Sequence, residues 1–150
     1  MRVRNFESQL WLPQTREKVF SFFSNPQNLE AITPPWLHFQ TVTSRPIEMH
    51  PGAVIDYKLR IHGFPLRWRS KITVWDPPAR FVDEQVRGPY QLWIHEHTFA
   101  ERDGGTLVCD HVKYAAPFDW LAYPLLVRRD VERIFRYRCD VLRRRFAAPA

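Results

Sequence analysis

Residues 80–114, RFVDEQVRGPYQLWIHEHTFAERDGGTLVCDHVKY, read as three strands in succession joined by two tight turns. Successive residues of a strand point to opposite faces, so half-buried strands alternate apolar with polar side chains. Arg80–Arg87, Gln91–Glu101 and Thr106–Tyr114 alternate in this way, and the intervening RGPY and RDGG carry the Gly, Pro and Asp of hairpin turns. The same pattern extends upstream. Ala53–Ile61 sets Ile55, Tyr57, Leu59 and Ile61 against Asp56, Lys58 and Arg60. Leu66–Trp75 sets Leu66, Trp68, Ser70, Ile72 and Val74 against Arg67, Arg69 and Lys71, and HGFP links these two as a tight turn. Leu37–Thr43 reads as a further strand, and Arg4–Leu12 opens the chain with Phe6, Ser8, Leu10 and Leu12 on one face. Clean alternation predicts an antiparallel sheet with one solvated face.

Helical period brackets these strands. Thr15–Ser24 carries an apolar stripe of Val19, Phe20 and Phe23; a second helix is expected with Asn25 as cap and Pro26 at its first position, ending before Pro34-Pro35. After Pro117, the residues Val127, Val131, Phe135, Cys139, Leu142 and Phe146 recur every three or four positions. That helix is about twenty residues long, enough to cross a whole sheet at ~1.5 Å per residue. The expected architecture is α+β in one domain spanning 1–150. It has a curved antiparallel sheet of about seven strands, two short helices, and a long C-terminal helix over the sheet.

Four segments carry a resemblance to a known family: EKVFSFFSNPQNLEAITPPWL, the RFVDEQVRGPY hairpin, WIHEHTF, and GGTLVCDHVKYAAP with the terminal helix. They resemble the helix-grip fold of the START/Bet v 1-like superfamily (SRPBCC), which includes polyketide cyclases and lipid-transfer domains, and in particular its bacterial ligand-binding members. The resemblance implies a hydrophobic cavity between sheet and helix. It does not imply an activity, because one fold serves many functions.

Composition agrees with a well-cored domain. With 11 Phe, 6 Trp and 5 Tyr, aromatics make 15% of the chain, and 13 Pro stand against 5 Gly. The net charge of +6 resides largely in Arg. Eight of these Arg lie between Arg128 and Arg145 at spacings suited to a solvated helix face. Cys109 and Cys139 belong to no CxxC or Cys/His cluster and read as reduced core thiols. No signal-peptide core and no apolar run of membrane-spanning length occur, so a cytoplasmic protein without a membrane span is expected. GxGxxG, Walker, GxSxG and HExxH motifs are missing, which removes nucleotide cofactors and the common hydrolases; no cofactor is expected. Basic residues alternate with Trp68 on a strand, but on the face opposite to it, so nucleic-acid binding is not expected.

The chemistry concentrates in Trp93-Ile94-His95-Glu96-His97-Thr98-Phe99. Trp93, His95, His97 and Phe99 share a face. A turn centred on Asp103-Gly104 places Phe99 opposite Val108, His97 opposite Asp110, His95 opposite Val112 and Trp93 opposite Tyr114. A three-residue turn Gly88-Pro89-Tyr90 places Gln85 opposite Trp93, Asp83 opposite His95 and Phe81 opposite His97. Two pairs result, His95 with Asp83 and His97 with Asp110, amid large aromatics. Paired polar groups on an inward face satisfy one another, and they can also anchor a ligand or work as general acids and bases. His-x-His supplies two metal ligands; His111 faces the other way, and Asp110 or Asp83 could serve as a further ligand only if this pairing is rearranged, so no metal is expected.

The expected function is binding of a hydrophobic or aromatic small molecule, lipid- or polyketide-like. Trp68, Trp93, Phe99, Tyr114 and Phe135 would provide apolar contact, and Asp83, Gln85, His95, His97 and Asp110 would provide polar anchors. Tyr57 and Arg138 are further candidates for the cavity wall. One alternative is a cyclase or dehydratase with His95, His97 or Asp110 in catalytic roles. Another is a module that binds a protein partner through the basic outer face.

Overall fold

The computed structural model describes residues 1–44, 46–118, 120 and 123–147. Seven strands form one antiparallel sheet in the order β1-β7-β6-β5-β4-β3-β2. They are β1 (Arg4–Leu12), β2 (Gln40–Thr41), β3 (Val54–Ile61), β4 (Phe64–Asp76), β5 (Arg80–Arg87), β6 (Leu92–Arg102) and β7 (Gly105–Ala115). Three helices accompany them: α1 (Arg16–Phe23), α2 (Asn28–Ala31) and the long α3 (Tyr123–Arg145).

The β6–β7 hairpin has the expected register, with Trp93 opposite Tyr114, His95 opposite Val112, His97 opposite Asp110 and Phe99 opposite Val108. Its turn places Asp103 at φ 50° and Gly104 at φ 74°, the left-handed pair that matches the natural twist of a two-residue hairpin. Gly105, the next residue, lets β1 come close: a side chain there would strike the Leu12 carbonyl. The β5–β6 register also follows the expectation at Phe81–His97 and Asp83–His95. Gln85, however, does not pair with Trp93, because the ladder ends at Glu84–Ile94.

Three further expectations need correction. The second helix does not start at Pro26. Asn25 Oδ1 accepts the Gln27 amide at 3.1 Å and the Asn25 carbonyl accepts that of Asn28 at 3.0 Å, so a turn fills the space and α2 is shorter than expected. The strand expected over Leu37–Thr43 shrinks to β2. Pro35–Leu37 form a 3-10 turn with His38 at φ 47°, and side chains replace the ladder, with Glu30 Oε1 accepting from Thr41 N and Thr43 Oγ1 from Asp56 N, both at 2.7 Å. In β4 the register shifts between Ile72 and Val74. This bulge adds one residue and reverses the alternation, so Trp75 and not Val74 turns inward to meet Phe20 and Phe81.

The core lies between the sheet and the helices. α1 starts at an N-cap, with the Lys18 amide donating to Thr15 Oγ1 at 3.3 Å, worth about 1 kcal/mol. It buries Val19, Phe20, Phe22 and Phe23 against Phe81 and Phe99. The apolar stripe of α3 packs as its spacing predicts: Val127, Val131, Phe135 and Leu142 are buried, as is Phe146 just beyond the helix. Phe135 reaches Phe6 of β1 at 4.8 Å between ring centres.

Candidate functional site

Inward-facing positions of three adjacent strands place the polar cluster. β6 contributes His95 and His97, 4% and 5% exposed; β5 contributes Asp83; β7 contributes Asp110. His95 Nε2 lies 2.7 Å from Asp110 Oδ1, and His97 Nε2 lies 2.7 Å from Asp83 Oδ2. An ionised carboxylate can only accept, so each Nε2 carries a proton and donates. The partners are therefore exchanged relative to the expectation. The alignment of backbones is as expected, but each side chain reaches diagonally, and the directly opposed contacts are longer: 4.0 Å from His95 Nδ1 to Asp83 Oδ2 and 3.4 Å from His97 Nδ1 to Asp110 Oδ1. Diagonal neighbours of a sheet face lie within reach of long side chains.

The rings stack. Phe81 and His97 lie 4.1 Å apart at 14°, and His97 and His95 lie 3.6 Å apart at 26°. Phe135 of α3 meets His95 edge-on at 5.4 Å. Two imidazoles this close repel when both are charged. Burial and the neighbouring His97 push the His95 pKa down to about 4, against the pull of Asp110. Burial acts on His97 too, but hydrogen bonding and charge from Asp110 and Asp83 outweigh it, and its pKa is raised. Both aspartates, although buried, are held below the usual carboxylate range, Asp83 by His97 and Asp110 by both histidines. Arg138 completes the group from α3, with Nη1 3.9 Å from Asp110 Oδ1. Two carboxylates thus face one guanidinium and two imidazoles, of which His95 is the less readily protonated.

In front of His95, His97 and Asp83 lies a cavity of about 160 Å³ between β3–β6, α3 and the α1–α2 segment. Trp68, Trp93, Phe135 and Arg138 line it, together with Tyr57 and Tyr90. The wall is mainly apolar, and Trp68 is held by its indole N–H donating to Ser70 Oγ at 3.0 Å. The remaining expected contacts lie elsewhere. Gln85 is occupied with the β5–β6 turn: its Nε2 donates to the Tyr90 carbonyl at 2.7 Å and its Oε1 accepts the Tyr90 amide at 3.1 Å. Phe99 is only 2% exposed, packed among Phe20, Phe23 and Phe81. Tyr114 belongs to a second apolar cluster with Val112, Val127 and Val131. Asp110 sits behind His95 and supports it without reaching the cavity wall.

Sequence pattern placed less weight on Leu29, Phe39 and Met49, which also face the cavity. They sit on the short helix and on irregular segments where periodicity carries no facing information. Arg138 did have a signal, since it interrupts the apolar stripe between Phe135 and Leu142.

Asp83, His95 and His97 each offer a ligand atom within 4.8 Å of the others, close enough to share a cation. Two features oppose one. The histidine Nε2 atoms already donate to carboxylates, and Arg138 adds a fixed positive charge beside Asp110. Cys109 and Cys139 are free thiols, and among the described residues no helix is long and apolar enough to cross a membrane.

Comparison with known proteins agrees with this architecture. Residues 12–138 match the family model described as polyketide cyclase / dehydrase and lipid transport, and the chain belongs to that family. Among solved structures, the Zhui aromatase/cyclase from Streptomyces sp. R1128 superposes with a TM-score of 0.74 at 18% identity over 99% of each chain. Protein CV1439 from Chromobacterium violaceum gives 0.76 at 12% identity, covering 97% of this chain and 98% of that one. Ara h 8.0201 gives 0.71 at 17% identity, covering 94% and 95%. At these identities the likeness speaks for the helix-grip fold alone. No curated protein matches the sequence.

Proposed function

We propose that this member of the polyketide cyclase / dehydrase and lipid transport family binds a small aromatic or hydrophobic molecule between its sheet and α3. The observation that carries this reading is an apolar cavity walled by Trp68, Trp93 and Phe135 and ending on one polar cluster. Ligand sites combine a mostly apolar surface with a few placed polar groups. The volume sets the scale: about 160 Å³ is close to the ~150 Å³ of an engineered cavity that takes up benzene. The ligand is therefore about one aromatic ring with a short substituent, smaller than an extended lipid or polycyclic polyketide.

Catalysis is the second reading. Asp110 orients His95 through Nε2, the arrangement by which a carboxylate prepares an imidazole base. A base whose pKa is about 4 is a weak proton acceptor at neutral pH, so binding is the reading adopted. The test is titration with phenol, 2-naphthol and 9-anthracenemethanol, followed by tryptophan fluorescence. Saturable 1:1 binding of phenol and 2-naphthol is expected, with the anthracene excluded. Ile134→Trp, which projects a larger side chain into the cavity, is expected to abolish it. Binding unaffected by Ile134→Trp would refute the assignment of the site.

A further inference from the structure

Arg138 is the only Arg or Lys among the described residues lining the cavity. It is 8% exposed, and its guanidinium lies over the Phe135 ring at 4.8 Å. Its Nε and Nη1 are buried and have no hydrogen-bond partner among the described residues. The nearest acidic oxygen, Asp110 Oδ1, is beyond hydrogen-bond distance at 3.9 Å and already accepts from His95 at 2.7 Å. Asp83 is likewise engaged by His97. A buried guanidinium with idle donors is costly, and an unsatisfied buried group in a folded protein calls for a partner.

We propose that Arg138 receives a carboxylate on the cavity ligand, so that the preferred ligand is a small aromatic monocarboxylic acid. The inference rests on the cavity-binding reading and adds the charge of the ligand to it. A phosphate ester fits less well: a dianion would meet Asp83 and Asp110 with one guanidinium to offset it, in an otherwise apolar wall. A single carboxylate matches the one guanidinium whose donors are idle. The charged and titratable groups facing the site are Tyr57 on β3, Asp83 on β5, Tyr90 in the β5–β6 turn, His95 and His97 on β6 and Arg138 on α3, with Asp110 of β7 behind His95.

The test is isothermal titration of the full chain with benzoate, benzamide and benzyl alcohol. Benzamide copies the shape of benzoate without the charge. Wild type is expected to bind benzoate at least tenfold more tightly than benzamide. Arg138→Met is expected to bind the two equally, the acid–amide ratio falling to about one. Arg138→Lys keeps the charge without the planar fork, and retains a smaller preference for the acid. Equal wild-type affinities, or an acid preference that survives in Arg138→Met, would overturn the proposal. If Arg138→Met does not fold, the wild-type acid–amide ratio and its change in Arg138→Lys decide. Binding of benzamide and benzyl alcohol without benzoate removes the carboxylate assignment and leaves the cavity reading standing. Failure of all three ligands to bind removes both.

Discussion

Replacing Asp110 with alanine separates a buried ion cluster from surface decoration. Asp110 is 6% exposed, accepts from His95 at 2.7 Å and faces His97 and Arg138 at 3.4 and 3.9 Å. Without it, Arg138 loses its nearest counter-charge and His95 loses the acceptor that orients it. Removing one partner of a buried ion pair costs about 3–5 kcal/mol. For a chain of this length, at ~2–4 °C per kcal/mol, Tm should fall by about 6–20 °C. The control is Asp56→Ala. Asp56 accepts from Arg69 Nε at 2.8 Å, nearly the same length, but both side chains are more than a third exposed. Solvent screens such a pair, and its loss should be a small fraction of the Asp110 effect. Urea unfolding of both variants at pH 7, with m-values compared to exclude a change in the denatured state, measures the difference. Equal midpoints for Asp110→Ala and Asp56→Ala would refute the view that burial makes this cluster energetically distinct.

Other consequences follow from the same geometry. His95, with its pKa lowered to about 4, stabilises the fold above the unfolded value of 6.5, and that contribution is lost as pH falls from 6.5 towards 4. His97, with its pKa raised, acts oppositely: its contribution is present below 6.5 and is lost as pH rises through its folded value. Denaturation across pH 4–9 should therefore show a maximum, and His95→Asn should flatten the acid limb above the range where the carboxylates titrate; an unchanged limb would count against neutral His95. Phe135→Ala should cost about 3–5 kcal/mol by urea unfolding and should improve binding of 2-naphthol relative to phenol, because it joins new space to the cavity. Deleting Thr73 removes the extra residue of the β4 bulge and leaves Ile72, Val74 and Trp75 opposite Asp83, Val82 and Phe81 in unbroken register, so Trp75 should stay packed against Phe20 and Phe81. Near-UV circular dichroism should keep its aromatic signal, and loss of that signal would contradict the reading of Thr73 as the one extra residue.

How much of this was legible depended on how much a local pattern constrains. The β6–β7 register could be read from RDGG because a two-residue turn leaves one alignment, and the stripe of α3 could be read because helical period persists through it. Partner choice within the polar cluster was not legible. Register aligns backbones, whereas His95–Asp110 and His97–Asp83 are set by the diagonal reach of side chains and by the His95–His97 stack. The bulge at Thr73 was equally silent, since the alternation continues through Val74 in the sequence and only tertiary packing brings Trp75 inward. Gln85 fell on the expected face, but its amide matched the backbone of its own turn better than a distant cavity. Arg138 was visible as a charge within an apolar stripe, and its meaning emerged only with Phe135, Asp110 and the cavity around it.

The central claim is that the space between the sheet and α3 takes up a small aromatic molecule. Amide and indole chemical-shift mapping during titration of the labelled protein with benzoate tests this most directly. The account predicts saturable shifts concentrated at the Trp68 and Trp93 indoles, the His95–His97 segment and the α3 residues around Arg138. Shifts confined to the exposed basic face around Arg67, Arg69 and Lys71, or no saturable shift at all, would contradict it.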